Sequence, residues 1–168
     1  MKERFVIEPL GAHDRSAFAC GTPLLDRYLR EQASQDVKRL MANCFVAVTV
    51  ATTRIAGYYT LAATSVPAND LPTEVRKRLP RYPVLPAALV GRLAVDRDFH
   101  RLGLGGALIA DAALRVLNGD VKAFALIVEA KDDNAFGFYR HLGFHPFAGR
   151  PLSLFLPVGT AKKAAAKS

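Results

Sequence analysis

The stretch that most constrains the fold runs from Val95 to Leu117, "VDRDFHRLGLGGALIADAALRVL". An apolar, branched run from Ala88 to Val95 precedes it. Gly103, Gly105 and Gly106 then separate that strand from a helix rich in Ala and Leu, which stops at Asn118-Gly119. A helix with a glycine-rich first turn leaves several backbone N–H groups unpaired and unshielded, and the helix dipole adds partial positive charge there. Strand, glycine turn and helix in succession therefore call for an α/β layer structure with an anion site at the end of a strand. Two phosphate loops do not fit. The GxxxxGK[ST] pattern is absent, and the third position of GxGxxG, after Gly103 and Gly105, is Leu108, where close packing asks for Gly or Ala.

The rest of the chain supplies the other elements. "ERFVIEPL" reads as a first strand. Thr22 and Pro23 open a helical segment, "CGTPLLDRYLREQASQDVKRLM", as two helices or one bent one. One apolar stripe is Leu24, Leu25, Tyr28 and Leu29; a second is Val37, Leu40 and Met41. "NCFVAVTVA" and "RIAGYYTLAAT" form an antiparallel hairpin. "LPTEVRKRL" is a short helix capped by Thr73 or the segment before it. The strand Ala88 to Val95 carries Gly91, which suggests a bulge. "AFALIVEA" is a buried strand. "DDNAFGFYRHLGF" is a helix with Asp132 or Asp133 as N-cap, Gly143 at C′ and Phe144 behind it. "LSLFLP" closes the chain as a strand. The order β, α, β, β, α, β, α, β, α, β gives one α/β domain over residues 1–158. The basic tail, 159–168, lacks apolar periodicity and is expected to be disordered.

A net charge of +8 and a pI near 9.8 attract polyanions and disfavour cationic substrates. No apolar run is long enough to span a bilayer and the N-terminus has no secretory pattern, so the expected compartment is the cytoplasm, with no membrane partner. Cys20 and Cys44 lack metal-ligand spacing and read as reduced thiols; no metal is expected.

The loop His100-Arg101-Leu102-Gly103-Leu104-Gly105 resembles the acetyl-CoA loop of the GNAT acetyltransferases, Gln/Arg-x-x-Gly-x-Gly/Ala. "NAFGFYRHLGFHP" resembles a second signature of that family, a helix ending in Tyr-x-x-x-Gly-Phe. "FACGTPLLDRYL" is similar to the opening of one GNAT subgroup, the acetyltransferase toxins of bacterial toxin–antitoxin pairs. The resemblance covers Phe18 to Phe144. It implies a single-domain GNAT fold: a mixed, mostly antiparallel central sheet with splayed strands and helices on both faces. It also implies acetylation of the amino acid on charged tRNA, a block of translation, a homodimer, and neutralisation by a ribbon–helix–helix antitoxin.

On that resemblance, the backbone of Leu93, Ala94 and Val95 pairs with the pantetheine arm of acetyl-CoA. The amides of Arg101, Leu102, Gly103, Leu104, Gly105 and Gly106 hold the diphosphate, and Asn134 contacts the cofactor. Tyr139 matches the family tyrosine near the thioester sulfur, where its phenol donates to the leaving thiolate. The plain alternative is a core tyrosine with its hydroxyl satisfied. No base stands out: His13, His100, His141 and His145 are scattered, and Glu129 ends a buried strand. The family has Gln or Arg where this chain has His100, and Arg101 beside it is the candidate to supply the charge. Lys38, Arg39, Arg76, Lys77, Arg78 and Arg92 are candidates for tRNA phosphates, or else solvated surface charges. Rival acceptors are a small-molecule amine and a protein N-terminus or lysine. A non-catalytic CoA- or nucleic-acid-binding module is the rival from another class.

Overall fold

The computed structural model describes residues 3–159. The expectation of a disordered tail falls on residues 160–168, outside the described residues. Seven strands form one sheet in the order β1-β2-β3-β4-β5-β7-β6. They are β1 (Phe5–Pro9), β2 (Asn43–Thr49), β3 (Ile55–Pro67), β4 (Val84–Val95), β5 (Ala125–Glu129), β6 (His145–Pro146) and β7 (Ser153–Pro157). β1–β2, β2–β3, β5–β7 and β6–β7 pair antiparallel, and β4–β5 pair in parallel at Ala88↔Leu126 and Leu89↔Ile127. The chain divides into two compact units. One comprises the chain up to Ala62 with Val90–Asp111; the other comprises Ala63–Leu89 and the chain from Ala112 onward.

In the first unit, β2 is buried from Cys44 through Thr49, as a central strand covered on both faces must be. The hairpin to β3 turns through Thr53, whose φ is 56°, and Thr49 N–H donates to the Arg54 carbonyl at 2.9 Å. The helical segment is one path in three parts: α1 (Pro23–Arg27), a π turn (Tyr28–Gln32) and α2 (Ala33–Lys38). Leu25, Tyr28, Leu29 and Ala33 face a core of Phe18, Val46, Val48, Ile55 and Tyr58. Leu24 does not belong to the stripe; it is 72% exposed. The second stripe fails beyond Val37, because α2 ends at Lys38. Leu40 turns to φ 62°, Met41 N–H closes on the Asp36 carbonyl at 2.9 Å, and both side chains point to solvent.

In the second unit, α3 (Thr73–Arg76) has Pro72, not Thr73, at the N-cap position, with no side-chain cap. β4 starts at Val84, four residues before the expected Ala88: Pro86 lacks an N–H but its carbonyl accepts from Phe124 N–H at 3.0 Å. β5 and β7 pair over their full lengths, Ala125↔Pro157 to Glu129↔Ser153. The two-residue β6 was not expected. Val66, Leu71, Leu85, Ile127, Phe147 and Phe155 form this unit's core. α4 (Leu104–Asn118) and α5 (Asp133–His141) match their expected boundaries. Among the described residues no helix is long and apolar enough to cross a membrane.

Candidate active site

One candidate region, in the first unit, is the end of β4 with the glycine loop. Asp96, 1% exposed, anchors it. Its Oδ1 accepts from Asp98 N–H at 2.9 Å and from Arg54 Nη2 at 3.1 Å, and its Oδ2 accepts from Ala19 N–H at 3.0 Å. Asp96 also caps the 3-10 turn Arg97–Phe99, and Arg97 N–H donates to the Ala19 carbonyl. Sequence reasoning missed this residue, because its partners lie up to 77 positions away.

Beyond the turn, the ring Nε2 of His100 sits 2.8 Å from the Val95 carbonyl. The histidine in the family's Gln/Arg position thus braces the loop against its own strand. It also engages the Val95 carbonyl, which was expected to pair with a cofactor. Leu93, Ala94 and the Val95 N–H remain as candidates; the side chain of Ala94 is buried in the core.

The loop then enters the left-handed region twice, at Arg101 (φ 66°) and Gly103 (φ 75°). Ala107 N–H donates to the Gly103 carbonyl at 3.1 Å and starts the α4 ladder. No amide from Arg101 to Gly106 donates to a protein acceptor among the described residues. A side-chain atom added at Gly103 would meet nothing within 4 Å, and Arg101, Leu102 and Gly103 are exposed. Six free donors at the positive end of a 15-residue helix fit a diphosphate.

Leu104 and Leu108 are buried beneath the loop. Their space comes from Gly57 on β3. A Cβ there would lie 3.0 Å from the Ala94 carbonyl, 3.2 Å from Leu108 Cδ1 and 3.3 Å from Leu104 Cδ2. The close approach that a dinucleotide fingerprint builds with a glycine on the helix is built here with a glycine on the neighbouring strand. Gly57 is therefore a second residue that sequence reasoning missed; a glycine inside a strand was its signal.

The N-terminal motif belongs to the same unit. Gly21 has φ 98°, Phe18 is buried, and Asp26, only 9% exposed, accepts from Cys20 N–H at 2.9 Å.

The second candidate region, in the other unit, is α5. Asp132 caps it, its Oδ1 accepting from Ala135 N–H at 2.8 Å. Gly143 (φ 102°) ends it. Phe144 N–H bonds the Tyr139 carbonyl at 3.1 Å and Gly143 N–H the Arg140 carbonyl at 3.0 Å, the paired bonds of a Schellman motif. The accompanying apolar contact is Tyr139 against Phe144, with ring centroids 5.4 Å apart. Tyr139 is 8% exposed, and burial pushes its phenol up to about 12.

Three other buried tyrosines satisfy their hydroxyls. Tyr28 donates to Asp36 at 2.7 Å, Tyr58 to the Leu25 carbonyl at 2.7 Å and Tyr59 to Asp111 at 2.6 Å. Tyr139 makes no such bond among the described residues. Its hydroxyl is not spent on the core, contrary to the plain alternative, and it keeps its proton at neutral pH. Asn134 stands exposed in the first turn of α5.

The basic candidates fall in both units: Lys38, Arg39 and Arg92 in the first, Arg76, Lys77 and Arg78 in the second. Lys38 and Arg39 sit exposed at the end of α2. The Arg92 guanidinium lies 3.7 Å from the centre of the Tyr28 ring, so it is already engaged. Arg76 and Lys77 line one pocket in the second unit, with Arg78 exposed beside them. No base is assembled from the other candidates. His13 bonds Gly11 N–H and sits 3.8 Å from Glu8, His145 stacks near Phe155, and Glu129 lies 4.0 Å from Arg150.

The chain is similar to known proteins in both sequence and fold. Residues 41–146 match the family model described as an acetyltransferase (GNAT) domain. The chain is 38% identical over 153 residues to a tRNA-acetylating toxin of Mycobacterium tuberculosis (strain ATCC 25618 / H37Rv), covering 90% of each. It superposes on AtaT complexed with acetyl-methionyl-tRNAfMet with a TM-score of 0.88 at 28% identity, covering 96% of this chain and 99% of that one. A tyrosine-to-phenylalanine variant of AtaT, bound to the C-terminus of the antitoxin AtaR and acetyl-CoA, superposes with a TM-score of 0.81 at 26% identity, covering 96% and 98%. With a glycine loop of free amides and a buried, unspent tyrosine as its two signatures, the chain belongs to the GNAT family of acetyl-CoA-dependent acetyltransferases.

Proposed function

We propose that this enzyme is a toxin that acetylates the α-amine of aminoacyl-tRNA and so blocks translation. The observation that carries the acetyl-transfer half is the run of six unengaged amides from Arg101 to Gly106 at the start of α4. The acceptor is supported by the 38% identity, over nine-tenths of the chain, to a toxin named for acetylating tRNA. A positive chain also suits a polyanionic substrate and disfavours the small cationic amines of the rival reading.

Bound acetyl-CoA supplies a thioester whose acetyl group passes to the amine while its sulfur leaves as a thiolate. The loop amides hold the diphosphate, and the guanidinium of Arg101 adds charge beside it. Leu93, Ala94 and the Val95 N–H, at the end of β4, pair with the pantetheine arm. Asn134 contacts the cofactor from the first turn of α5. Tyr139 holds its proton through neutral pH and donates it at Oη to the departing sulfur, while the proton lost by the acetylated nitrogen passes to solvent, from which the phenolate is reprotonated. The amine of an aminoacyl ester is less basic than that of lysine, so more of it is unprotonated without a dedicated base.

In the cell the toxin is a cytoplasmic homodimer neutralised by a ribbon–helix–helix antitoxin; AtaT in complex with AtaR supports an antitoxin of some kind. The test is incubation with labelled acetyl-CoA and total charged tRNA, followed by identification of the modified aminoacyl groups. Labelled N-acetyl-aminoacyl-tRNA is the expected product. Label only on small amines or protein would overturn the acceptor.

A further inference from the structure

The loop between β3 and β4 carries a feature that acetyl transfer does not use. From Arg76 to Pro83 the chain reads "RKRLPRYP", four cations in eight residues. Arg76, Lys77 and Arg81 line a pocket of about 610 Å³ together with Asn69, Leu79 and Tyr82. Tyr82 is 62% exposed, the one tyrosine of five that is not buried. Its backbone is fixed on both sides: Tyr82 N–H donates to the Pro80 carbonyl at 2.9 Å, and the Pro83 carbonyl accepts from Ala68 N–H at 2.9 Å. Arg76 is fixed too, with Nη1 donating to Asn69 Oδ1 at 2.8 Å. Against these cations stands Glu74, 3.7 Å from Lys77.

Solvated charges scattered on a helix would need neither a held guanidinium nor a proline-braced aromatic ring. An exposed aromatic ring among cations is an arrangement that binds single-stranded nucleic acid, where the base stacks and the phosphates meet the charges. The pocket is within the size range of sites that take a small-molecule-sized group, roughly 300–1,000 Å³.

We propose that this pocket grips an unpaired nucleotide of the RNA substrate. The base stacks on Tyr82, and Arg76, Lys77 and Arg81 hold the flanking phosphates. The proposal rests on the reading of the acceptor as tRNA and adds where, and by what chemistry, the RNA is held.

The chain has no tryptophan, so a Tyr82→Trp variant reports from this site alone. Titration with deacylated total tRNA should quench its fluorescence in a saturable way, and a short single-stranded RNA should do the same. Tyr82→Ala should raise the KM for charged tRNA about tenfold, in line with the loss of one stacked base, and leave the KM for acetyl-CoA unchanged; Tyr82→Phe should restore most of the loss. An unchanged tRNA KM in Tyr82→Ala, with acetylation of tRNA intact, overturns the proposal and leaves the function standing. Quenching by deacylated tRNA without any acetylated product does the reverse. Binding of polyglutamate as tightly as RNA, with no quench by either, would make the pocket a site for acidic peptide and overturn the proposal as well.

Discussion

At the scale of single residues, Tyr139 and Arg101 give the sharpest expectations. The Tyr139 hydroxyl supports no hydrogen bond in its own unit, so Tyr139→Phe removes chemistry without removing structure. Its thermal midpoint should equal or exceed that of the parent, while kcat falls about a hundredfold or more, the scale of a lost general acid. Because burial raises the phenol to about 12, the group stays protonated as pH rises from 7 to 10, and kcat should show no decline over that range from its titration. A kcat near the parent value would remove Tyr139 from the acid role.

Arg101 tests a different point. It stands at φ 66°, which suits glycine better than arginine. Arg101→Gly should therefore hold or raise stability, by about 1 kcal/mol at most. The KM for acetyl-CoA should still rise, because a cation beside the diphosphate is gone. Parallel loss of stability and of cofactor affinity would mean that the side chain is structural. Both residues are singled out in the sequence by their motifs. His100 was legible only as a departure from a pattern; its bond to the Val95 carbonyl depends on how the turn closes.

At the scale of elements, the glycine turn, α4, the hairpin and the Schellman end of α5 were all readable, because each is encoded by residues close together in the chain. The misreadings have one cause in common: a local pattern overruled by what lies across from it. Leu40 and Met41 continue a helical stripe on paper, but α2 stops before them and both side chains are exposed. β4 extends four residues earlier than its prolines suggested, because the Pro86 carbonyl still finds a donor. Gly57 is the instructive case. Its role comes from α4, about fifty positions later, and not from its strand. Gly57→Ala should press on the Ala94 carbonyl and on Leu104 and Leu108. The first turn of α4 must then lift, at a cost of about 1–3 kcal/mol. A lowered thermal midpoint together with a raised acetyl-CoA KM is expected. A midpoint change with cofactor affinity intact would separate the packing from the loop.

At the scale of the whole molecule, burial of protonated groups sets the alkaline limit. Cys44 is raised to about 12 and Tyr139 to about 12, and Tyr28 and Tyr58 are raised further, desolvation being the first cause in each. The folded chain keeps protons that the unfolded chain releases from its cysteine near pH 9 and its tyrosines near pH 10. Stability from these groups is therefore fully present below pH 9 and is lost as pH climbs toward the folded-state values, by about 1.4 kcal/mol per pH unit for each group in its window. Urea midpoints should be flat from pH 7 to 8.5 and fall clearly by pH 10.5. A flat profile to pH 10.5 would show that these groups reach solvent readily. Composition anticipated none of this, since it gives the number of tyrosines and cysteines but not which of them the core encloses.

Asp96 carries one further consequence. Its two oxygens gather the backbone of Ala19, the guanidinium of Arg54 and the backbone of Asp98 around a single buried charge. The loop proposed to hold the cofactor is thus aimed from a distance by the segment that opens the N-terminal motif. A protein that pulled on that segment could disarm the loop without ever covering it, and Ala19→Pro, which removes the backbone N–H, or a substitution of Arg54 could do so while leaving every residue of the loop itself in place.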